Sequence, residues 1–327
     1  MAELPFLWEV KKNGAISHLI GTAHPVADIN IIEAAKRLVD KARVLYVETP
    51  EDFKLQEHHI SLLNGQTIED ILTRGELKMV NSFFREHYQV YLTPEEVQSR
   101  VDAIKKQKLW YLESVAMNIV AYGSEEIKYW EAKKQAAEIL VSILTQQFYE
   151  EETQKTIQKL TELKNIIKGY EAKDDKNPAT LDNAIRRYAN SKGVSIIGLD
   201  TPDEFVKIYD SVSSKTQRQT LLGVINAARK KNVFDQNEIQ AYRDGNIKYM
   251  VSTLNPRGLN PRGRADKEYF AKACHGRTEL WHLKTQEDIK QGETLIAIGI
   301  HHILTPPKTQ HGYLAKLQRD GYQIRRL

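Results

Sequence analysis

The chain has 327 residues, 41% hydrophobic and 28% charged, which fits one large or two smaller globular domains and excludes a disordered or fibrous polypeptide. A net charge of +4 is too small for a dedicated nucleic-acid binder, and no apolar run approaches the ~18 residues of a membrane span. The single cysteine, Cys274, cannot form an intramolecular disulfide, and Met1–Val10 has no basic and apolar leader pattern, so the expectation is a cytoplasmic protein.

The first elements read as a β-hairpin. Leu7 to Val10 and Ile16 to Ile20 flank Lys11-Lys12-Asn13-Gly14, and Asn-Gly is a strong signal for a tight turn. The second strand runs into Gly21-Thr22-Ala23-His24. A helix from about Ile29 to Lys41 follows, with Ile32, Ala35 and Val39 on one face, and Val44 to Val47 then forms a strand ending in Glu48. This β-α-β unit predicts that His24 and Glu48 emerge at the same edge of neighbouring parallel strands.

From about Thr67 to Arg187 the pattern turns helical. Thr67-Ile-Glu-Asp70 and Thr93-Pro94-Glu95-Glu96 carry N-cap chemistry, and Ile157, Leu160, Leu163 and Ile167 make a stripe expected to pack against other helices. The polar run Glu171 to Pro178 breaks the helices. Strand character returns at Val194 to Leu199 and ends in Asp200-Thr-Pro-Asp-Glu-Phe205, an echo of Glu48-Thr-Pro-Glu-Asp-Phe53. Helices are expected over Asp203 to Leu254, Lys267 to Lys272 and Thr278 to Lys290. Asn255-Pro-Arg-Gly and Asn260-Pro-Arg-Gly open a basic stretch, Asn255 to Arg277, whose six basic and two acidic residues give a net charge equal to that of the whole chain. Its Arg264 is a candidate for holding an anionic group of a substrate, although a solvated surface loop would look the same. The last buried strand, Thr294 to Ile298, runs into Gly299-Ile300-His301-His302, and a helix near Tyr313 to Asp320 precedes the closing run Gly321 to Leu327.

These patterns predict an α/β fold of mixed α+β character: a central, mostly parallel sheet built from two related halves, with a long helical insertion. Residues 1–66 and 191–327 form the expected core. Residues 67–190 form the insertion, a lid or an oligomerisation region and a candidate surface for a homodimer.

A strand that ends in glycine lets the chain turn sharply at the carboxyl edge of a sheet, where open α/β folds bind ligands. Two imidazoles and a carboxylate there make a divalent-metal triad: His24, Glu48 and His302. Both histidines are expected at a loop edge, outside the core. Each residue has a plainer reading, since a histidine after a strand can cap a helix and Glu48 or Asp200 can cap the helix that follows. His301 should point away from its neighbour. Arg277 beside a metal-bound oxygen would stabilise developing negative charge.

These residues resemble the TraB/PrgY/GumN family, related to the Tiki proteases and to erythromycin esterase-like and ChaN-like proteins. Leu7-Trp8-Glu9-Val10 with Gly21-Thr22-Ala23-His24-Pro25 is similar to its first block. Val47-Glu48-Thr49, Arg277-Thr-Glu-Leu-Trp281, Ala297 to His302 and Tyr313 to Tyr322 are similar to its later ones. The likeness covers roughly residues 5 to 55 and 195 to 327. It implies metal or catalytic roles for His24, Glu48 and His302 and an active-site role for Arg277. Asp200 stands where the family commonly has Glu, Thr278 where Asn is usual, and Asn246, after Tyr242-Arg-Asp-Gly245, where Asp is common. Asp200, His301, Tyr242 and Arg264 are thus expected to contact substrate or orient ligands.

The leading reading is a metal-dependent hydrolase acting on a peptide or amide bond of a peptide or small-molecule substrate. Its metal would be Mn, Co, Zn or Fe, its nucleophile a bound water, and its catalytic residues Arg277, Glu48 and His24. One alternative is a non-catalytic signalling or pheromone-shutdown type of regulator that binds a peptide or small ligand in the same cleft. Another is a metal-free, esterase-like hydrolase with His24 as general base, oriented by Glu48.

Overall fold

The structure is a computed structural model that describes residues 6–23, 29–50, 52–63, 65–89, 92–120, 132, 135–136, 139, 156–165, 167, 180–229, 236–253, 267–304 and 311–327. His24, the polar run 171–178 and the Asn-Pro-Arg-Gly repeat with Arg264 lie outside the described residues.

The fold is mixed α/β around a six-stranded sheet. Its strands are β1 (Leu7–Lys12), β2 (Ala15–Thr22), β3 (Val44–Val47), β4 (Ser195–Gly198), β5 (Thr294–Gly299) and β6 (Gln323–Arg326), in the order β4-β3-β5-β2-β1-β6. Pairings β2–β5, β5–β3 and β3–β4 are parallel, while β1 runs antiparallel to both β2 and β6. All four residues of β3 are buried, as expected of a central parallel strand covered on both faces. The hairpin turn forms where Asn-Gly predicts it: Asn13 (φ 51°) and Gly14 (φ 85°) both take the left-handed conformation that a tight hairpin turn needs.

One expectation needs correction. β2 and β3 are not neighbours, because β5 lies between them and pairs with both. The crossover through the Ile29–Val39 helix skips one position, and the late strand fills it. The echoed segments consequently lie side by side, β2 against β5 and β3 against β4. Phe53 and Phe205, which close the two acid-Thr-Pro echoes, meet edge to face at 5.4 Å.

A second correction concerns residues 267–291. Helical Lys267–Tyr269, the π-helix Phe270–Gly276 and helical Arg277–Gln291 follow without a gap where a break was expected. Gly276 sits at φ −62°, ψ −44°, an ordinary helical conformation, so it carries the run through.

The main core gathers the strands, the Ile29–Val39 helix and the buried face of Arg277–Gln291 around Trp281. A second core joins Ile68, Val80, Phe84, Val97, Val101 and Leu112 of the helical region to Leu221, Val224 and Ile225 of the Ser214–Arg229 helix. Capping boxes start helices where the sequence places them: Thr67 with Asp70, and Thr93 with Glu96. In the stripe at Ile157 to Ile167, Leu163 is buried whereas Ile157 is exposed.

Candidate functional site

Register brings the first two functional side chains together. Val47 of β3 pairs with Ala297 of β5, so Glu48 leaves its strand beside the end of β5. Its Oε1 accepts the backbone N–H of Gly299 at 2.7 Å, and its Oε2 accepts from Arg277 Nη2 at 3.1 Å. Only glycine leaves room for this: a Cβ on residue 299 would lie 2.9 Å from Glu48 Oε1 and 3.6 Å from His302 Cδ2. The carboxylate and the imidazole approach the same empty point.

His302 belongs to a short helical turn, Ile300–Ile303, rather than to extended backbone. It is buried, contrary to the loop-edge expectation, with its ring centroid 4.4 Å from that of Trp281. Nδ1 lies 2.9 Å from Thr278 Oγ1 and 3.8 Å from Cys274 Sγ. Burial lowers its pKa to about 3 although the Glu48 carboxylate pulls the other way, so the ring is a neutral imidazole near pH 7. His301, on the same helical turn, has Nε2 3.4 Å from Glu238 Oε1.

Arg277 opens the Arg277–Gln291 helix and is clamped from two directions. Its Nε and Nη2 donate to Asp200 Oδ2 at 3.1 and 2.5 Å, and Nη2 also reaches Glu48. Trp281, one turn along the helix, donates its Nε1–H to Asp200 Oδ1 at 2.7 Å while its ring lies 4.5 Å from the guanidinium carbon. The ring of Phe205 stacks at 5.3 Å from the same carbon. Burial opposes the arginine's charge, yet Tyr209, Glu48 and Asp200 together raise its pKa above the ordinary value. Burial, with a smaller push from Glu48, holds the Asp200 carboxyl above its ordinary pKa although Arg277 and Trp281 pull it back; donors from Arg277 and Trp281 reach both of its oxygens, as suits a carboxylate. Arg277 Nη1 makes no hydrogen bond among the described residues.

Sequence reasoning missed the aromatic residues packed beside this network. Tyr209, whose pKa is raised by burial, lies close enough to Arg277 and Glu48 to feel both charges. Trp110 packs against it at 5.5 Å, and Tyr269 at 6.1 Å, with the Tyr269 hydroxyl donating to buried Glu113 at 3.4 Å. Glu113 and Trp110 come from the helical region, far from any strand end, so no motif marks them.

The structure therefore brings together Glu48, Asp200, Arg277 and His302. Tyr242 stands one step back, its buried hydroxyl donating to the Gly21 carbonyl at 2.6 Å near the end of β2. Among the described residues, no group of three His, Cys, Asp or Glu is placed to hold a metal ion. His24, the expected third ligand, lies outside them. The donor chemistry present does fit a cation: Glu48 and Asp200 outnumber Arg277 by one charge, and His302 Nε2 makes no hydrogen bond among the described residues. Imidazole nitrogen with carboxylate oxygen suits first-row divalent metals.

The site is a partly buried Glu-Arg-Asp network beside a buried, neutral histidine at the carboxyl edge of a mostly parallel sheet, the edge at which open α/β folds commonly bind ligands. The chain belongs to the TraB/PrgY/gumN family, whose model matches residues 6–177 and 162–326. No curated protein and no solved structure matched it. Among the described residues, no helix is long and apolar enough to cross a membrane.

Proposed function

We propose that this protein is a metal-dependent hydrolase of a peptide or amide bond, with His24, Glu48 and His302 holding a divalent ion of the Mn, Co, Zn or Fe group. Bound there, such an ion would supply an activated water and polarise a carbonyl. The chain's own groups divide the remaining work. Glu48 shares its carboxylate between Gly299 and Arg277, which fixes its orientation. Asp200 holds Arg277 so that Nη1 is left to donate to a substrate oxygen as negative charge develops. Tyr209, Tyr269 and Trp110, packed on one another beside Arg277, would keep water from the reacting groups. Through Trp110 and Glu113, the 67–190 insertion serves as a lid over a core formed by 1–66 and 191–327. A cytoplasmic setting suits Cys274, a buried thiol whose pKa burial raises to about 12.

The observation that carries this reading is the meeting of Glu48 and His302 at Gly299 beside a clamped arginine. Elemental analysis of protein purified without chelator tests it. One equivalent of metal is expected, lost in Glu48→Gln and in His302→Gln while circular dichroism stays unchanged. Full metal occupancy in either variant would sink the proposal.

A further inference from the structure

We infer that Thr278 is a positioning residue: it holds His302 as the Nδ1–H tautomer and thereby leaves Nε2 bare. The argument starts from an ordinary helical habit, in which a threonine inside a helix turns its hydroxyl proton back to the carbonyl four residues earlier. Thr278 is fully buried and does this, donating to the Cys274 carbonyl at 2.8 Å. That carbonyl also accepts the backbone N–H of Arg277, so the π-helical turn before the arginine supplies the acceptor.

A hydroxyl has one proton and two lone pairs. With the proton committed to Cys274, Thr278 Oγ1 can only accept from His302 Nδ1, which lies 2.9 Å away. The neutral ring then carries its single proton on Nδ1, and the lone pair falls on Nε2. Cys274 is the competitor. Its thiol could donate to Nδ1 and reverse the tautomer, but Sγ is 3.8 Å from that nitrogen and 3.5 Å from the His301 carbonyl, which it meets first. The shorter oxygen contact decides.

Only what the bare nitrogen binds rests on the hydrolase reading; the tautomer belongs to the metal-free protein. Nitrogen-15 spectra of metal-free, histidine-labelled protein, with the His302 signals assigned through His302→Gln, should show a protonated Nδ1 and an unprotonated Nε2. Thr278→Val, which cannot accept, should lose that signature, Thr278→Ser should restore it, and Cys274→Ala should leave it in place. Titration with zinc alone supplies a second readout: Thr278→Val should weaken binding by about 10- to 100-fold, the usual cost of removing a ligand's orienting partner, while Thr278→Ser stays near the parent. A bare Nδ1 in the parent protein, or an unchanged signature in Thr278→Val, overturns the inference. Absence of zinc binding by the parent would instead remove the hydrolase reading, with the tautomer spectra still deciding the role of Thr278.

Discussion

Glu48 and Asp200 end adjoining strands with the same acid-Thr-Pro signature, yet their surroundings assign them different work. Asp200 is almost fully buried and takes three donors, two from Arg277 and one from Trp281. Asp200→Asn would turn an amide N–H toward one of them and leave a buried guanidinium with Glu48 as its remaining carboxylate. Removing one partner of a buried ion pair typically costs about 3–5 kcal/mol, and urea unfolding should show a loss in that range. Glu48→Gln should unfold close to the parent, because a glutamine oxygen can still accept from Gly299 and Asp200 still holds the arginine. An unchanged urea midpoint for Asp200→Asn would mean that the clamp contributes nothing. The echo itself was legible in the sequence, but the partners of Asp200 were not. Arg277 and Trp281 lie about eighty positions further along the chain, and no local pattern encodes that contact.

At the scale of strands and helices, apolar runs and turn residues marked each strand that lines the site, and capping residues marked several helix starts. Strand order was not legible. A buried run such as Val44 to Val47 satisfies its hydrogen bonds equally well beside either parallel neighbour, so nothing local says that β5 enters between β2 and β3. The π-helix was invisible for a related reason, since its side-chain spacing differs too little from an α-helix to show over seven residues. The packed sheet explains its glycines better than the motifs did. A Cβ on Gly198 would lie 2.2 Å from Pro50 Cδ and 2.5 Å from Pro50 N, a rigid ring and its backbone. A Cβ on Gly21 would meet Ile300 Cδ1 at 2.5 Å, the far end of a side chain that can rotate away. Gly198→Ala should therefore cost at least the roughly 1–3 kcal/mol typical of overpacking, and Gly21→Ala distinctly less. Equal urea midpoints for the two variants would show that β3 and β4 yield more easily than their close approach implies.

At the scale of the whole molecule, helices of the insertion share a core with the Ser214–Arg229 helix and also contribute Trp110 and Glu113 to the packing around Tyr209 and Tyr269. Composition and helical periodicity pointed to helices in this region; they held no information on which residues it places beside Tyr209 and Tyr269. The two halves of the molecule should share one response to acid. Burial lowers the pKa of His87, in the insertion, to about 4. Burial, aided by His311 and Lys316, does the same for His275, in the π-helix. An unfolded histidine titrates near 6.5, so between pH 6.5 and 4 the unfolded chain binds protons that the native protein refuses. Stability is then lost as pH falls through that window and is flat above it. Carboxylates such as Glu76, whose pKa Thr73 and Arg218 lower to about 2, add a further loss only below pH 4.5. Urea midpoints should hold steady from pH 8 to 7 and decline from pH 6.5 toward 4, with a shallower decline in His87→Gln, which has no imidazole to protonate. Midpoints that rise over that interval, or a His87→Gln slope equal to the parent's, would mean that these rings are not held neutral by the fold.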